Sequence, residues 1–196
     1  MISVIVPLMP IVPYSEQIDE CVDLLKKQTA KPEIIVAVQP VERYINKNKL
    51  LNDGFAKSSG DYVVHCDADF RYDDSDLLKR MVDKLESDGL DVIYPKFLSR
   101  VSGKMKIADG GPLFRRTALL KYGKLDENLM GVSWVTFPLL LYALKRMKFH
   151  CSDEFEIKVD QARGGVGKRN GQTSKRMRPI YKEAVRILKG RGAWPA

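Results

Sequence analysis

Asp67 and Asp69 are the residues best placed, by type and spacing, to do chemistry. They flank Ala68 and directly follow the apolar run Tyr62-Val63-Val64-His65-Cys66. Two carboxylates two residues apart on extended chain project to the same side. Such a pair suits a hard divalent cation, Mn²⁺ or Mg²⁺, which takes oxygen ligands and shares phosphate oxygens. A cation of that kind stabilises the charge that grows on a departing diphosphate. An Asp-x-Asp pattern gains meaning at the end of a strand, because ligands of open α/β sheets bind beyond the carboxyl ends of strands.

The elements that must position this pair are readable from periodicity. Ile2 to Pro7 is a short apolar run with β-branched residues, which predicts a buried strand. Pro7, Pro10 and Pro13 punctuate a loop, and Ser15 is a candidate N-cap for a helix carrying Ile18, Cys21, Val22, Leu24 and Leu25. Glu33 to Val38 predicts a second strand, residues 44–59 a helix, and 61–66 a third strand. Residues 74–88 predict an amphipathic helix with Leu77, Leu78, Met81, Val82 and Leu85 inward, stopped by Gly89. Asp91 to Pro95 starts a fourth strand. This alternation predicts an α/β fold with a largely parallel sheet between helices. The alternation breaks at Ser99–Met105, which reads as a hairpin. Helices at about 115–121 and 134–148 are expected after Gly110-Gly111, then a strand at 154–159 and a last helix at 179–189.

The chain has 196 residues, 44% apolar and 30% charged, which fits one globular domain and excludes a disordered chain. No apolar run reaches the roughly 20 residues that span a bilayer. Met1-Ile2-Ser3-Val4 lacks the charged start of a secretory leader, so a cytoplasmic protein is expected. Cys21, Cys66 and Cys151 are few and scattered, as expected of a reduced compartment, and no Cys/His cluster predicts zinc. The net charge of +8 is unevenly spread. Residues 163–196 hold ten basic residues and one acidic, leaving 23 basic against 24 acidic in residues 1–162. The expected division is a body at 1–162, with halves at about 1–97 and 98–162, and a basic Gly-rich loop and helix at 163–196. A tail of this charge suits an anionic partner, a phosphate or an anionic membrane surface, or a solvated helix. Tyr181 and Trp194 are too few for a base-stacking array, so nucleic acid is not the expected partner.

The stretch Asn52-Asp-Gly54-Phe-Ala-Lys-Ser-Ser-Gly60-Asp-Tyr-Val-Val-His-Cys-Asp67-Ala-Asp69 resembles the heart of the GT-A glycosyltransferases, closest to family 2. Ser3-Val-Ile-Val-Pro7, Gln28-Thr29 with Glu33-Ile-Ile-Val, and Gly111-Pro-Leu-Phe-Arg115 with Gly123-Lys-Leu-Asp126-Glu127 are similar to further stretches of that family. The resemblance covers residues 2 to about 150. It implies a single-domain GT-A fold, Rossmann-like, with a mixed, mostly parallel sheet. It implies metal-dependent transfer of a sugar, of hexose type, from a nucleotide-diphosphate sugar to a hydroxyl of a glycan, protein or lipid-linked acceptor. Asp69 would ligate the metal, and Asp67 would touch the donor ribose or the metal. Pro7, Leu8, Gln39, Asn52, Ala68, Gly110 and Gly111 would complete the donor site. Asp160, after the strand 155–159, matches the place of a third ligand in some relatives.

Two departures stand out. Val38-Gln39-Pro40 replaces the family's Asp-Asp after the second strand, so Gln39 is the candidate reader of the base edge. Val132-Ser-Trp134-Val-Thr-Phe137 lacks the family's Glu-Asp, whose Asp is the general base. A base must lie within hydrogen-bond reach of the acceptor hydroxyl. Asp109, Asp126 and Glu127 are the candidates, with Asp153 as a further carboxylate. Trp134 is a candidate sugar-stacking platform. The Gly-rich loop 164–171, with Arg163, Lys168 and Arg169, is a candidate cover for a diphosphate. His65 and His150 read as structural. Three alternatives remain. A nucleotidylyltransferase is disfavoured because Pro7-Leu-Met-Pro10 stands where its Gly-rich loop belongs. The other two are a non-catalytic nucleotide-sugar binder and a protein binding nucleic acid through the basic tail.

Overall fold

The computed structural model describes residues 1–8, 14–38, 47–99, 105–107, 111–122 and 146–159, together with residue 186. The expected helices at 134–148 and 179–189 and the loop at 164–171 therefore lie outside the described residues, apart from 146–148 and Arg186.

The first half alternates as its periodicity predicts. β1 (Ile2–Leu8) leads to α1 (Tyr14–Lys26), β2 (Glu33–Val38), α2 (Lys47–Lys57) and β3 (Tyr62–His65). β1 pairs in parallel with β2 on one side and β3 on the other. Alternation along β1 sends Val4 and Val6 into a core with Cys21 and Leu25 of α1. Ile5 points to the opposite face, where α2 packs against β1. Gly54 lies at that contact. A Cβ there would collide with the Ile5 side chain, so glycine in mid-helix is what lets α2 approach the strand.

The second half supplies the antiparallel strands. β4 is only Phe70–Arg71, and α3 (Leu77–Ser87) follows with Leu77, Leu78, Met81 and Leu85 buried. Gly89 closes it at φ +60°, as the stop signal predicts. β5 (Val92–Ser99) and β6 (Met105–Ile107) form the expected hairpin. β7 (Leu113–Arg115), α4 (Arg116–Tyr122) and β8 (Phe149–Val159) complete the described elements. The strand order is β2-β1-β3-β7-β5-β8-β4, with β6 on β5. Parallel pairing is confined to β2-β1-β3 and β5-β8, and the other four pairings are antiparallel. The expected strand at 154–159 is the second part of β8, which runs beside β5 with a register shift at Pro95/Lys96.

This order forces curvature. β3 and β4 are four strand steps apart, about 19 Å in a flat sheet. The chain from His65 to Phe70 covers at most about 17 Å when extended. It also contains a turn, closed by the Phe70 amide donating to the Asp67 carbonyl at 3.0 Å. The sheet therefore curls, and the acidic pair lies where its two parts turn towards each other.

Candidate active site

Asp67, Ala68 and Asp69 form the turn between β3 and β4, at the carboxyl end of β3. The turn is held from below by a residue whose role the sequence did not reveal. Arg71 is 1% exposed, and its guanidinium donates to the carbonyls of Ala68 at 3.0 Å and Phe70 at 3.1 Å. Its Nε lies 2.9 Å from Glu20 of α1. An arginine this buried needs an anion and several acceptors. Here the acceptors are the backbone of the acidic turn itself.

The two carboxylates differ in environment. Asp67 is engaged by Lys47, whose Nζ lies 2.5 Å from Oδ1 and 2.8 Å from Oδ2. His65 Nε2 lies 3.0 Å from Oδ1. Burial opposes the charge of Asp67, yet Lys47 and the His65 hydrogen bond outweigh it and hold the carboxyl well below the usual range. Burial, reinforced by Lys47, keeps the His65 ring neutral. The neutral ring therefore donates its Nε2 proton to Asp67. This is the structural role expected of His65. Among the described residues Asp69 has no such partner. Burial, and then the Asp67 charge, push its carboxyl up to about 6.

That asymmetry tests the fit of a metal. A half-buried carboxyl raised towards neutrality lacks a cation, and Mn²⁺ or Mg²⁺ beside Asp69 would supply one. Among the described residues, no group of three His, Cys, Asp or Glu forms a complete metal cage. The oxygen donors of Asp67 and Asp69 fit a hard divalent cation that keeps waters and shares diphosphate oxygens.

The other expected site residues are placed as follows. Pro7 and Leu8 end β1, half-buried, at the same edge of the sheet as the acidic turn. Ala68 is buried in the turn. Gly111 adopts φ +57° beside β3, and a Cβ there would come within 2.6 Å of the Tyr72 hydroxyl. Asn52 is 4% exposed, among the buried residues of α2. Gln39, Asp109, Gly110, Asp126, Glu127 and Asp160 lie outside the described residues, as do Trp134 and the side chain of Asp153. The last described pair of the β4–β8 ladder is Phe70 with Val159, so Asp69 and Asp160 are the next residues in sequence beyond it. A separate cavity of about 160 Å³ lies at the opposite end of β3, lined by Asp61, Tyr62, Arg115 and Arg116 among others. Its arginines are already bonded to Glu86 and Ser58.

Gln28 was legible only as part of a motif. It is fully buried, and its Nε2 donates to the carbonyls of Tyr72 at 3.1 Å and Asp74 at 2.8 Å. Its Oε1 accepts from the Leu78 amide at 3.2 Å, in the first turn of α3. One amide thus satisfies an orphan donor of α3 and anchors the segment that follows the acidic turn.

A curled mixed sheet with this acidic turn at the end of its third strand is the GT-A glycosyltransferase fold. Residues 11–130 match Glycosyl transferase family 2, and the chain belongs to that family. No curated protein sequence matches it. Among solved structures, S. aureus TarS 1-349 in complex with UDP-GlcNAc aligns with TM-score 0.71 at 16% identity, over 93% of this chain and 66% of that one. The mannosyltransferase PcManGT from Pyrobaculum calidifontis, in complex with GDP-Man and Mn²⁺, aligns with TM-score 0.68 at 15% identity, over 100% and 76%. Glucosyl-3-phosphoglycerate synthase from Mycobacterium tuberculosis, with Mn²⁺ and UDP-glucose, aligns with TM-score 0.65 at 14% identity, over 94% and 79%. At these identities the likeness is one of fold. The chain spans 36% of the longer TarS chain and 60% of TarS 1-349 when that is free of ligand.

Proposed function

We propose that this protein transfers a sugar from a nucleotide-diphosphate sugar to an acceptor hydroxyl, with a divalent cation at the donor site. The observation that carries this reading is the inequality of Asp67 and Asp69. One carboxylate is paired with Lys47 and hydrogen-bonded by the neutral His65 ring, and the other is left for a divalent cation. The solved relatives hold UDP-GlcNAc, GDP-Man or UDP-glucose, two of them with Mn²⁺, which supports a UDP- or GDP-linked donor.

Asp69 is the primary ligand for Mn²⁺ or Mg²⁺, with Asp67 next to it in the turn, and Asp160, the residue after Val159 in sequence, is the proposed third carboxylate. Bound there, the ion supplies positive charge to the departing nucleoside diphosphate. Arg71 keeps the turn backbone fixed, and Lys47 keeps Asp67 ionised and oriented. Pro7, Leu8, Gln39 and Asn52 shape the nucleotide side, and Gly110 and Gly111 allow close approach of the sugar. Asp109, Asp126 and Glu127 are the carboxylates proposed to take the acceptor proton. The basic segment 163–196 suits an anionic membrane surface carrying a lipid-linked acceptor, with the catalytic body on the cytoplasmic side.

The test is a panel of UDP-, GDP- and dTDP-sugars, with and without Mn²⁺, on the wild type and Asp69→Asn. Release of nucleoside diphosphate that needs metal and disappears in the variant supports transfer and names the donor. Metal-dependent donor binding by calorimetry without release, even with acceptors, would instead indicate a non-catalytic binder. Absence of both binding and release removes the donor-site reading.

A further inference from the structure

Cys21 and Cys66 are fully buried, and their Sγ atoms lie 3.4 Å apart across 45 residues of sequence. Cys21 belongs to the inner face of α1, and Cys66 follows β3 and precedes Asp67. Both thiols also approach the Asp67 carbonyl oxygen, at 3.8 Å from Cys21 and 3.5 Å from Cys66. The third cysteine, Cys151, belongs to β8. A disulfide needs about 2.05 Å between its sulfurs, so forming one requires the two sulfurs to close from 3.4 Å.

We propose that Cys21 and Cys66 are an oxidisable dithiol whose disulfide fastens α1 to the strand end carrying Asp67 and Asp69. The oxidant is a low-molecular-weight disulfide such as glutathione disulfide. One cysteine thiolate attacks it, forms a mixed disulfide and releases one glutathione thiolate. The second cysteine then attacks the mixed disulfide, the Cys21–Cys66 bond forms and a second glutathione leaves. The dithiol loses two electrons and two protons, and one glutathione disulfide becomes two glutathione thiols. Because the bond closes a loop of some 45 residues, it constrains the unfolded chain strongly. The fold must favour the bond by the same factor by which the bond favours the fold.

The experiment equilibrates the full chain in glutathione redox buffers, native and in urea, starting from both reduced and oxidised protein. Burial raises the Cys66 thiol and slows exchange, and approach from both sides removes that uncertainty. The expected native result is loss of two of the three thiols, with a peptide map joining Cys21 to Cys66. Native formation should be favoured on the order of 100-fold over formation in urea. The oxidised form should melt on the order of 10 °C higher. Cys151→Ser, which has two thiols, should lose both and show the same native preference and the same rise in melting temperature. A bond to Cys151, or a pair no more readily oxidised in the native chain than in urea, overturns the proposal. The wild-type map decides the question even if Cys21→Ser or Cys66→Ser does not fold.

Discussion

Lys47, at the first turn of α2, sets its ammonium 2.5 Å from Oδ1 of Asp67, beyond the end of β3. The contact couples the helix to the acidic turn and makes two carboxylates in one motif chemically unequal. Lys47→Met should free the Asp67 charge. Both partners are about a third exposed, so the loss of stability is expected to be modest, about 0.5–1 kcal/mol at pH 7 in urea unfolding. The folded carboxyl sits below its unfolded value. The gap between variant and wild type is therefore present above the ordinary aspartate range and closes only as acid titrates Asp67 itself. A gap that stays constant through acid would show that Lys47 acts by packing.

Asp69→Asn should abolish Mn²⁺ binding while leaving the metal-free protein as stable as wild type at pH 8, or about 1 kcal/mol more stable. The folded carboxyl is raised to about 6, so its ionisation costs stability. That cost is absent below its unfolded value and grows as pH rises towards 6. Wild-type Mn²⁺ affinity should fall about tenfold per pH unit below 6, as protons compete for the same oxygen. Calorimetry across pH 5–8 checks both statements.

Gln28→Leu should cost about 2–4 kcal/mol, because it strands the carbonyls of Tyr72 and Asp74 and the amide of Leu78 in a buried place. Gln28→Glu should be at least as damaging at pH 7, since its carboxylate would face two carbonyl oxygens. Denaturant midpoints rank the three proteins. A neutral Gln28→Leu would contradict the bracing role assigned to this amide.

Gly54→Ala should destabilise by about 1–3 kcal/mol despite alanine's better helix propensity, because the added methyl meets Ile5. The pair Gly54→Ala with Ile5→Ala, which removes the colliding Cγ2 methyl, should lose less than the sum of the two single changes. Thermal unfolding of the pair as a double-mutant cycle reads the coupling.

Glu33 accepts from the hydroxyls of Ser3 and Ser59 and from the Ser59 amide. The Ser3 hydrogen bond is the main reason its carboxyl sits below the ordinary glutamate value. The stability this contributes is present above that ordinary value and is lost as pH falls through the folded one. Ser3→Ala should therefore cost more at pH 7 than at pH 2, where the remaining loss is that of the buried Gly60 amide, which donates to the Ser3 hydroxyl at 2.8 Å.

Much of this protein is written locally. The apolar run 2–7, the helical spacing through Cys21 and Leu25, the Gly89 stop and the hairpin around residues 99–105 all appear where periodicity and turn chemistry put them. The acidic turn could be placed at a strand end from the run Tyr62–Cys66 alone. What escaped were elements too short to carry a period. β4 is two residues and β7 is three, and each exists because a neighbouring strand offers it a ladder.

The sequence by itself determined the α/β alternation, the family and the position of Asp67 and Asp69, because each rests on a spacing of a few residues. Only the tertiary structure decided which carboxylate pairs with Lys47 and which is raised by burial. It also decided that Arg71 and Gln28 brace the turn and that Cys21 meets Cys66. The Lys47–Asp67, Cys21–Cys66, Gln28–Leu78 and Glu20–Arg71 contacts join residues 20 to 51 positions apart, and they exist only once the sheet has curled and α1 and α2 have docked on it. Charge and burial, unlike periodicity, are properties of what surrounds a residue in space.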